Sequence, residues 1–171
     1  KAEADYLLNR FEDAVAGFTS FKQNSNASLV AEANDVDYDL AYSYFKQKDY
    51  ASAITFFNAF TSQSGNQVEK QNDGFLRLGD SYFATRKYWP AIETYNKALA
   101  LTGPEKDYAS YQKAMSYGFV GRGASKIENL EAFVSQYSRS SLKDDALFEL
   151  GNTYVNNGQE RKGLQAYDRV I

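Results

Sequence analysis

The side chains that usually carry acid–base, nucleophilic or metal chemistry are scarce in this sequence. It has 0 His and 0 Cys in 171 residues, which removes imidazole catalysis, thiolate chemistry, disulfides and most zinc ligand sets. Carboxylates and aromatic rings remain, with 22 acidic residues, 14 Tyr and 12 Phe. Two carboxylates facing across a cleft can hydrolyse a glycoside, but no spacing here sets such a pair. Asp35, Asp37 and Asp39 alternate as calcium ligands do, yet Tyr38-Asp39-Leu40-Ala41 reads as helix and the glycine of a calcium loop is missing. These acids, and Asp144-Asp145, suit solvated helix starts near the positive end of the helix dipole. Gly121-Arg122-Gly123-Ala124-Ser125-Lys126 lacks the strand and the closing order of a phosphate loop, so it reads as a helix–helix turn. Asn26-Ala27-Ser28 matches a glycosylation sequon. No catalytic residue, metal site or cofactor is expected.

The charge balance narrows the partners. A formal net charge of −3, with no long block of one sign, lacks the basic excess of a nucleic-acid binder. No run approaches the roughly 20 apolar residues that span a bilayer. The chain opens on Lys1-Ala2-Glu3-Ala4, already helical in pattern, and stops at Val170-Ile171 within another such pattern. It is expected to be a fragment of a longer array.

The elements that must position these side chains are helices. Ala14, Ala53, Ala91, Lys126 and Gly163 each open a stripe with apolar or aromatic residues one, four and seven positions on, as in Ala53-Ile54, Phe57 and Phe60. The five anchors stand 39, 38, 35 and 37 residues apart. Spacings of three and four residues place each stripe on one helix face, and a period of that length marks a solenoid. Ahead of four anchors runs a first helix: Leu40-Ala41 with Tyr44, Leu78-Gly79 with Tyr82, Ala114 with Tyr117, and Leu150-Gly151 with Tyr154. Small residues at Gly79 and Ala91 let paired helices cross closely. Tyr6 stands one residue too near Ala14 for this pattern, leaving the first unit incomplete. Roughly nine helices and a stub result, with no strand. Polar breaks at Gln23-Asn24-Ser25-Asn26 and Ser62-Gln63-Ser64-Gly65-Asn66 separate repeats, and Thr102-Gly103-Pro104-Glu105 and Ser141 to Asp144 suit helix starts. Gly118 to Gly123 predicts a loose turn, and Trp89 a ring that staples its hairpin.

The stretch Phe75-x-x-Leu78-Gly79-x-x-Tyr82, Ala91-x-x-x-Tyr95, Ala98 and Gly103-Pro104 resembles the tetratricopeptide repeat. The resemblance covers the whole chain. It implies an all-α fold: a right-handed α-solenoid of helix–turn–helix repeats, forming one array over residues 1–171 with repeats near 1–25, 28–63, 66–102, 104–138 and 141–171. The slightly long repeats, and the run Tyr137-Ser138-Arg139-Ser140-Ser141, resemble bacterial cell-envelope members, which implies a periplasmic or envelope-associated place, with the cytoplasm as the alternative.

In such arrays the first helices line a concave groove. The resemblance assigns to it Asp35, Tyr38, Tyr42, Phe45 and Lys46; then Asp73, Leu76, Asp80, Phe83 and Ala84; then Tyr108 and Tyr111; then Asn152 among others. Aromatic rings give large contact area at small entropic cost and are enriched at binding hot spots. The expected site is Tyr38, Tyr42, Phe45, Asp73, Asp80, Phe83, Tyr108, Tyr111 and Asn152. The partner is a protein or peptide, extended or helical, and a basic one would suit the acids. Asp35, Asp73 and Asp145 stand where some co-chaperone repeats carry the basic residues that grip a terminal carboxylate, and only Arg77 is basic nearby, so that clamp is not expected. The implied function is a non-enzymatic interaction scaffold; the alternative is an accessory region that recognises glycan or peptidoglycan.

Overall fold

The structure, a computed structural model, describes residues 1–171 apart from 25–29, 64, 66 and 171; of 24 and 30–34 it describes the backbone alone. The sequon at Asn26-Ala27-Ser28 and parts of both polar breaks therefore lie outside the described residues. Ten helices run through the described residues, and no strand: α1 (Ala2–Leu7), α2 (Phe11–Asn24), α3 (Val30–Lys46), α4 (Tyr50–Thr61), α5 (Val68–Ala84), α6 (Tyr88–Ala100), α7 (Lys106–Phe119), α8 (Gly123–Gln136), α9 (Lys143–Asn156) and α10 (Glu160–Tyr167). The expected stub is thus a short helix of its own. The helices fall into two compact units, Lys1–Lys87 with α1–α5 and Tyr88–Ile171 with α6–α10. Within each unit every helix packs on its neighbours in the chain.

A small buried residue opens the apolar stripe in four of the five second helices. Ala14, Ala53 and Ala91 are 0% exposed, and Gly163 is buried. At the α9–α10 crossing, a Cβ on Gly163 would lie 3.1 Å from the Gly151 carbonyl oxygen and 2.6 Å from Val155 Cγ2. No larger residue fits without spreading the pair. Lys126 is the exception among the anchors. Its stem passes over Gly118, where a Cβ would meet its Cδ at 2.9 Å, and its ammonium reaches Glu149 at 2.6 Å. The aromatic stripes close the cores: Phe57, Phe60 and Phe133 are at most 1% exposed, each contributing about 1.5–3 kcal/mol by leaving water.

One turn is used five times. Asn9, Lys48, Arg86, Gly121 and Gly158 have φ of 58°, 62°, 59°, 72° and 70°. In each case that residue's N–H bonds the carbonyl three back, and the next N–H bonds the carbonyl five back; for Lys48 and Asp49 these are Phe45 and Tyr44. This is the Schellman closure of a helix end. Gly118 to Gly123 is therefore the same tight turn as the others, not a loose one. The repeated turn also explains Tyr6: Asp5 is the residue whose carbonyl takes the Arg10 N–H at 2.8 Å, so Asp5 holds the Tyr44 register and Tyr6 that of Phe45.

Ser43, Ser81, Ser116 and Thr153 form a second repeated position. All are buried, and each hydroxyl donates to the carbonyl four residues back at 2.6–2.8 Å. Such a group brings its own acceptor into the core and leaves nothing unsatisfied.

Two helix starts differ from expectation. α7 begins after Glu105 and α9 after Leu142, neither with a side-chain cap. Ser140, not Ser141, joins the second start: its hydroxyl accepts from Leu142 N–H at 3.2 Å and donates to Asp107 at 2.6 Å. Trp89 is half exposed and sets its ring edge-on to Tyr117 of the following helix, 6.4 Å away, with the Arg122 guanidinium over it at 6.0 Å.

Candidate functional site

In the first unit, α1, α3 and α5 bring a row of rings and charges together. Tyr42 stands at its centre, edge-on to Tyr6 at 5.9 Å, stacked with Tyr38 at 6.0 Å and tilted against Phe45 at 6.3 Å. Tyr38 leans on Phe57 and Phe60 of α4, and Phe45 on Phe57, so the row rests on the core of the unit. Lys46 places its ammonium 5.1 Å from the Tyr42 ring centre, a cation–π distance.

The carboxylates of this face are held rather than loose. Tyr38 Oη donates to Asp73 Oδ2 at 2.7 Å. Arg77 bridges two acids, with Nε 3.2 Å from Asp73 Oδ1 and Nη1 3.0 Å from Asp80 Oδ2. Lys70 pairs with Asp35 at 2.6 Å and lies 5.7 Å over the Tyr38 ring. Burial, reinforced by Asp73, pushes the Tyr38 hydroxyl well above the ordinary tyrosine range. Asp39 differs. Burial pushes its carboxyl up to about 6; Lys70 pulls the other way, and Asp35 and Glu3 add to the rise. Beside it a cleft of about 570 Å³ opens, lined by Tyr6, Phe18, Tyr38, Asp39 and Lys70 among others.

The three acids that alternate like calcium ligands do not share one site. Asp37 is buried with Lys22 and the Gln63 amide as partners, whereas Asp35 and Asp39 both line the cleft, Asp35 paired with Lys70 and Asp39 without an ion pair among the described residues.

In the second unit, Tyr108 and Tyr111 lie half-buried on α7 and Asn152 on α9. Tyr111 sets its ring edge-on to Phe133 at 6.0 Å, and burial, with Glu149 and Asp145, pushes its hydroxyl up to about 12. Asn152 accepts from Tyr167 Oη at 2.7 Å, and exposed Phe148 lies 5.9 Å from that same ring.

Of the residues expected from the sequence, Tyr38, Tyr42, Phe45, Asp73 and Asp80 are linked by direct contacts or through Arg77, and Phe83 lies half-buried on the helix of Asp80. Tyr108, Tyr111 and Asn152 lie on two helices of the other unit. Leu76, assigned to the groove by register, is 2% exposed and belongs to the core. Tyr6, Asp39 and Lys70 were missed as members of the face. The register of Tyr6 follows from the αL turn at Asn9, a position held by Asn, Lys, Arg or Gly in the five turns, so it is set by the folded chain rather than by a residue type.

A model of the tetratricopeptide repeat family matches residues 35–66 and 145–171. Among solved structures, a crystal structure of MamA matches with a TM-score of 0.80 at 17% identity, covering 99% of this chain and 91% of the other. MamA from Desulfovibrio magneticus RS-1 matches with a TM-score of 0.76 at 14% identity over 99% and 88%. YrrB, described as a TPR protein with an unusual peptide-binding site, matches with a TM-score of 0.78 at 19% identity over 99% and 81%. At these identities the likeness carries the fold alone: an all-α solenoid of tetratricopeptide repeats. No curated protein matches by sequence.

Proposed function

We propose that this chain, a tetratricopeptide-repeat protein, is a non-enzymatic scaffold that binds a protein or peptide partner on the face of its first helices. The fold suits a protein–protein interaction scaffold. The finer reading, that Tyr38, Tyr42, Phe45, Asp73, Asp80, Phe83, Tyr108, Tyr111 and Asn152 form the binding surface, is supported chiefly by the row centred on Tyr42. Three rings and an ammonium surround that ring without burying it. Core rings such as Phe57 are fully buried, so rings left half-exposed on one face keep area for a partner.

The contacts behind the face also suit this use. Tyr38 fixed to Asp73, and Arg77 to Asp73 and Asp80, hold side chains that would otherwise lose rotamer freedom on binding. The test is the triple variant Tyr42→Ala, Phe83→Ala, Tyr111→Ala. Helical content should be kept, and partner affinity should fall by at least about tenfold. Undiminished binding by a folded triple variant overturns the assignment.

No described helix is long and apolar enough to cross a membrane. The long repeats support a place in a bacterial cell envelope. Osmotic-shock fractionation tests it: release with the periplasmic contents is expected, and retention with cytosolic markers contradicts it.

A further inference from the structure

The cleft beside Asp39 has two kinds of wall. Phe18 and Val36 give an apolar floor that continues into an adjoining recess with Gly17 and Phe21. Tyr6 and Tyr38 present rings, and Glu3, Asp35 and Asp39 present carboxylates against Lys70, the one cation among the described residues that line the cleft, while Lys1 lines the adjoining recess. Lys70 is spoken for: its ammonium is 2.6 Å from Asp35 and sits over the Tyr38 ring. Among the described residues, no cation pairs with Asp39. The chain thus already seats one ammonium on a tyrosine and an aspartate, and that same ammonium, paired to Asp35, acts on Asp39 only through space.

We infer that this cleft takes a basic side chain of the partner, an arginine or lysine followed by an apolar residue, with the cation against Asp39 and Glu3 between the Tyr6 and Tyr38 rings. The inference rests on the first-helix face being the binding surface. Charge complementarity identifies the occupant. A half-buried carboxylate has already lost much of its water, so an arriving cation gains its attraction without that loss being repeated. A guanidinium can stack on a tyrosine while bonding a carboxylate, which a neutral side chain of the same shape cannot do. The apolar neighbour covers Phe18 and Phe21. A partner segment alternating basic and apolar residues meets both walls.

Among the described residues, the titratable and charged groups that line the cleft with Asp39 are Glu3 and Tyr6 from α1, Asp35 and Tyr38 from its own helix and Lys70 from α5; α2 lines it with Phe18 and Phe21. Binding should therefore tighten as pH rises through the titration of Asp39, because the bound cation selects the carboxylate form.

Calorimetric titration of the whole chain with three capped hexapeptides tests this: leucine alternating with arginine, with citrulline, and with glutamate. The arginine peptide should bind, and the citrulline peptide should bind at least about tenfold more weakly. The glutamate peptide should not bind. Asp39→Asn removes a charge that burial disfavours, so the fold is kept, and it should weaken the arginine peptide to the level of citrulline. Lys70→Met, which removes the competing cation, should tighten it. Equal affinity for arginine and citrulline, or indifference to Asp39→Asn, overturns the inference. If that equal binding is still lost in the Tyr42, Phe83 and Tyr111 triple variant, the face reading survives; if no peptide binds, or the triple variant makes no difference, both fall.

Discussion

Tyr38 of α3 donates its hydroxyl to the carboxylate of Asp73 of α5 across 2.7 Å, joining two first helices of neighbouring repeats on the face proposed to bind. The helices α3 and α5 have few other contacts, because α4 packs against both, so this bond, together with the Lys70–Asp35 pair, holds their faces in register. Tyr38→Phe and Asp73→Asn should each lower stability, and the double-mutant cycle should return a coupling of about 1 kcal/mol, the scale of a hydrogen bond to a charged group reduced by partial exposure. Denaturant unfolding of the four proteins measures it. A coupling of zero would make the bond incidental.

The repeated turn predicts a stabilising change. Lys48 and Arg86 hold φ near +60°, where a Cβ is strained, while Gly121 and Gly158 take the same conformation freely. Lys48→Gly and Arg86→Gly should raise stability by about 0.5–1 kcal/mol each, and Gly121→Ala should lower it by about 1 kcal/mol. Melting temperatures of the three variants check both signs.

Close approach at the last hairpin predicts a destabilising one. A Cβ on Gly151 would lie 2.3 Å from Cε1 of Tyr167, whose hydroxyl is held by Asn152. The ring cannot move without giving up that bond. Gly151→Ala should cost about 1–3 kcal/mol by overpacking, and Tyr167→Ala in the same chain should recover part of it.

Stability should carry a mark of Asp39 in mild acid. Its carboxyl is raised from the ordinary 3.8 to about 6 in the folded chain. Between those values the folded state binds more protons than the unfolded state, so this group's contribution falls as pH rises from about 4 to about 6 and stays unfavourable above. Asp39→Asn should raise the melting temperature at pH 7, and less so at pH 4. An unchanged difference between wild type and variant across that range would contradict the assignment.

Much of this was legible from spacing alone. Ala53 with Phe57 and Phe60 shows a helical period, and only a second helix can cover such a stripe, so pairing followed directly. Tyr6 was misplaced because similarity of residue type suggested the Tyr44 register, whereas the chain is held in register by the αL turn at Asn9, which has no single residue signature. The buried hydroxyls at Ser43, Ser81, Ser116 and Thr153 passed unnoticed since a polar residue next to a groove position looks solvated; their acceptors are backbone carbonyls that no side-chain pattern reveals. The cleft at Asp39 was hidden for a different reason. It joins α1, α2, α3 and α5, and only the folded unit shows that Asp35 and Asp39 line it while Asp37 does not.

Site-specific photocrosslinking tests the central claim most directly. Benzoylphenylalanine placed at Tyr42, Phe83 or Tyr111, and in controls at the exposed second-helix positions Ala51, Asn96 and Glu128, would be irradiated with the bound partner. Adducts from the first three positions and none from the controls are the predicted result; adducts mainly from Ala51, Asn96 or Glu128 would contradict it.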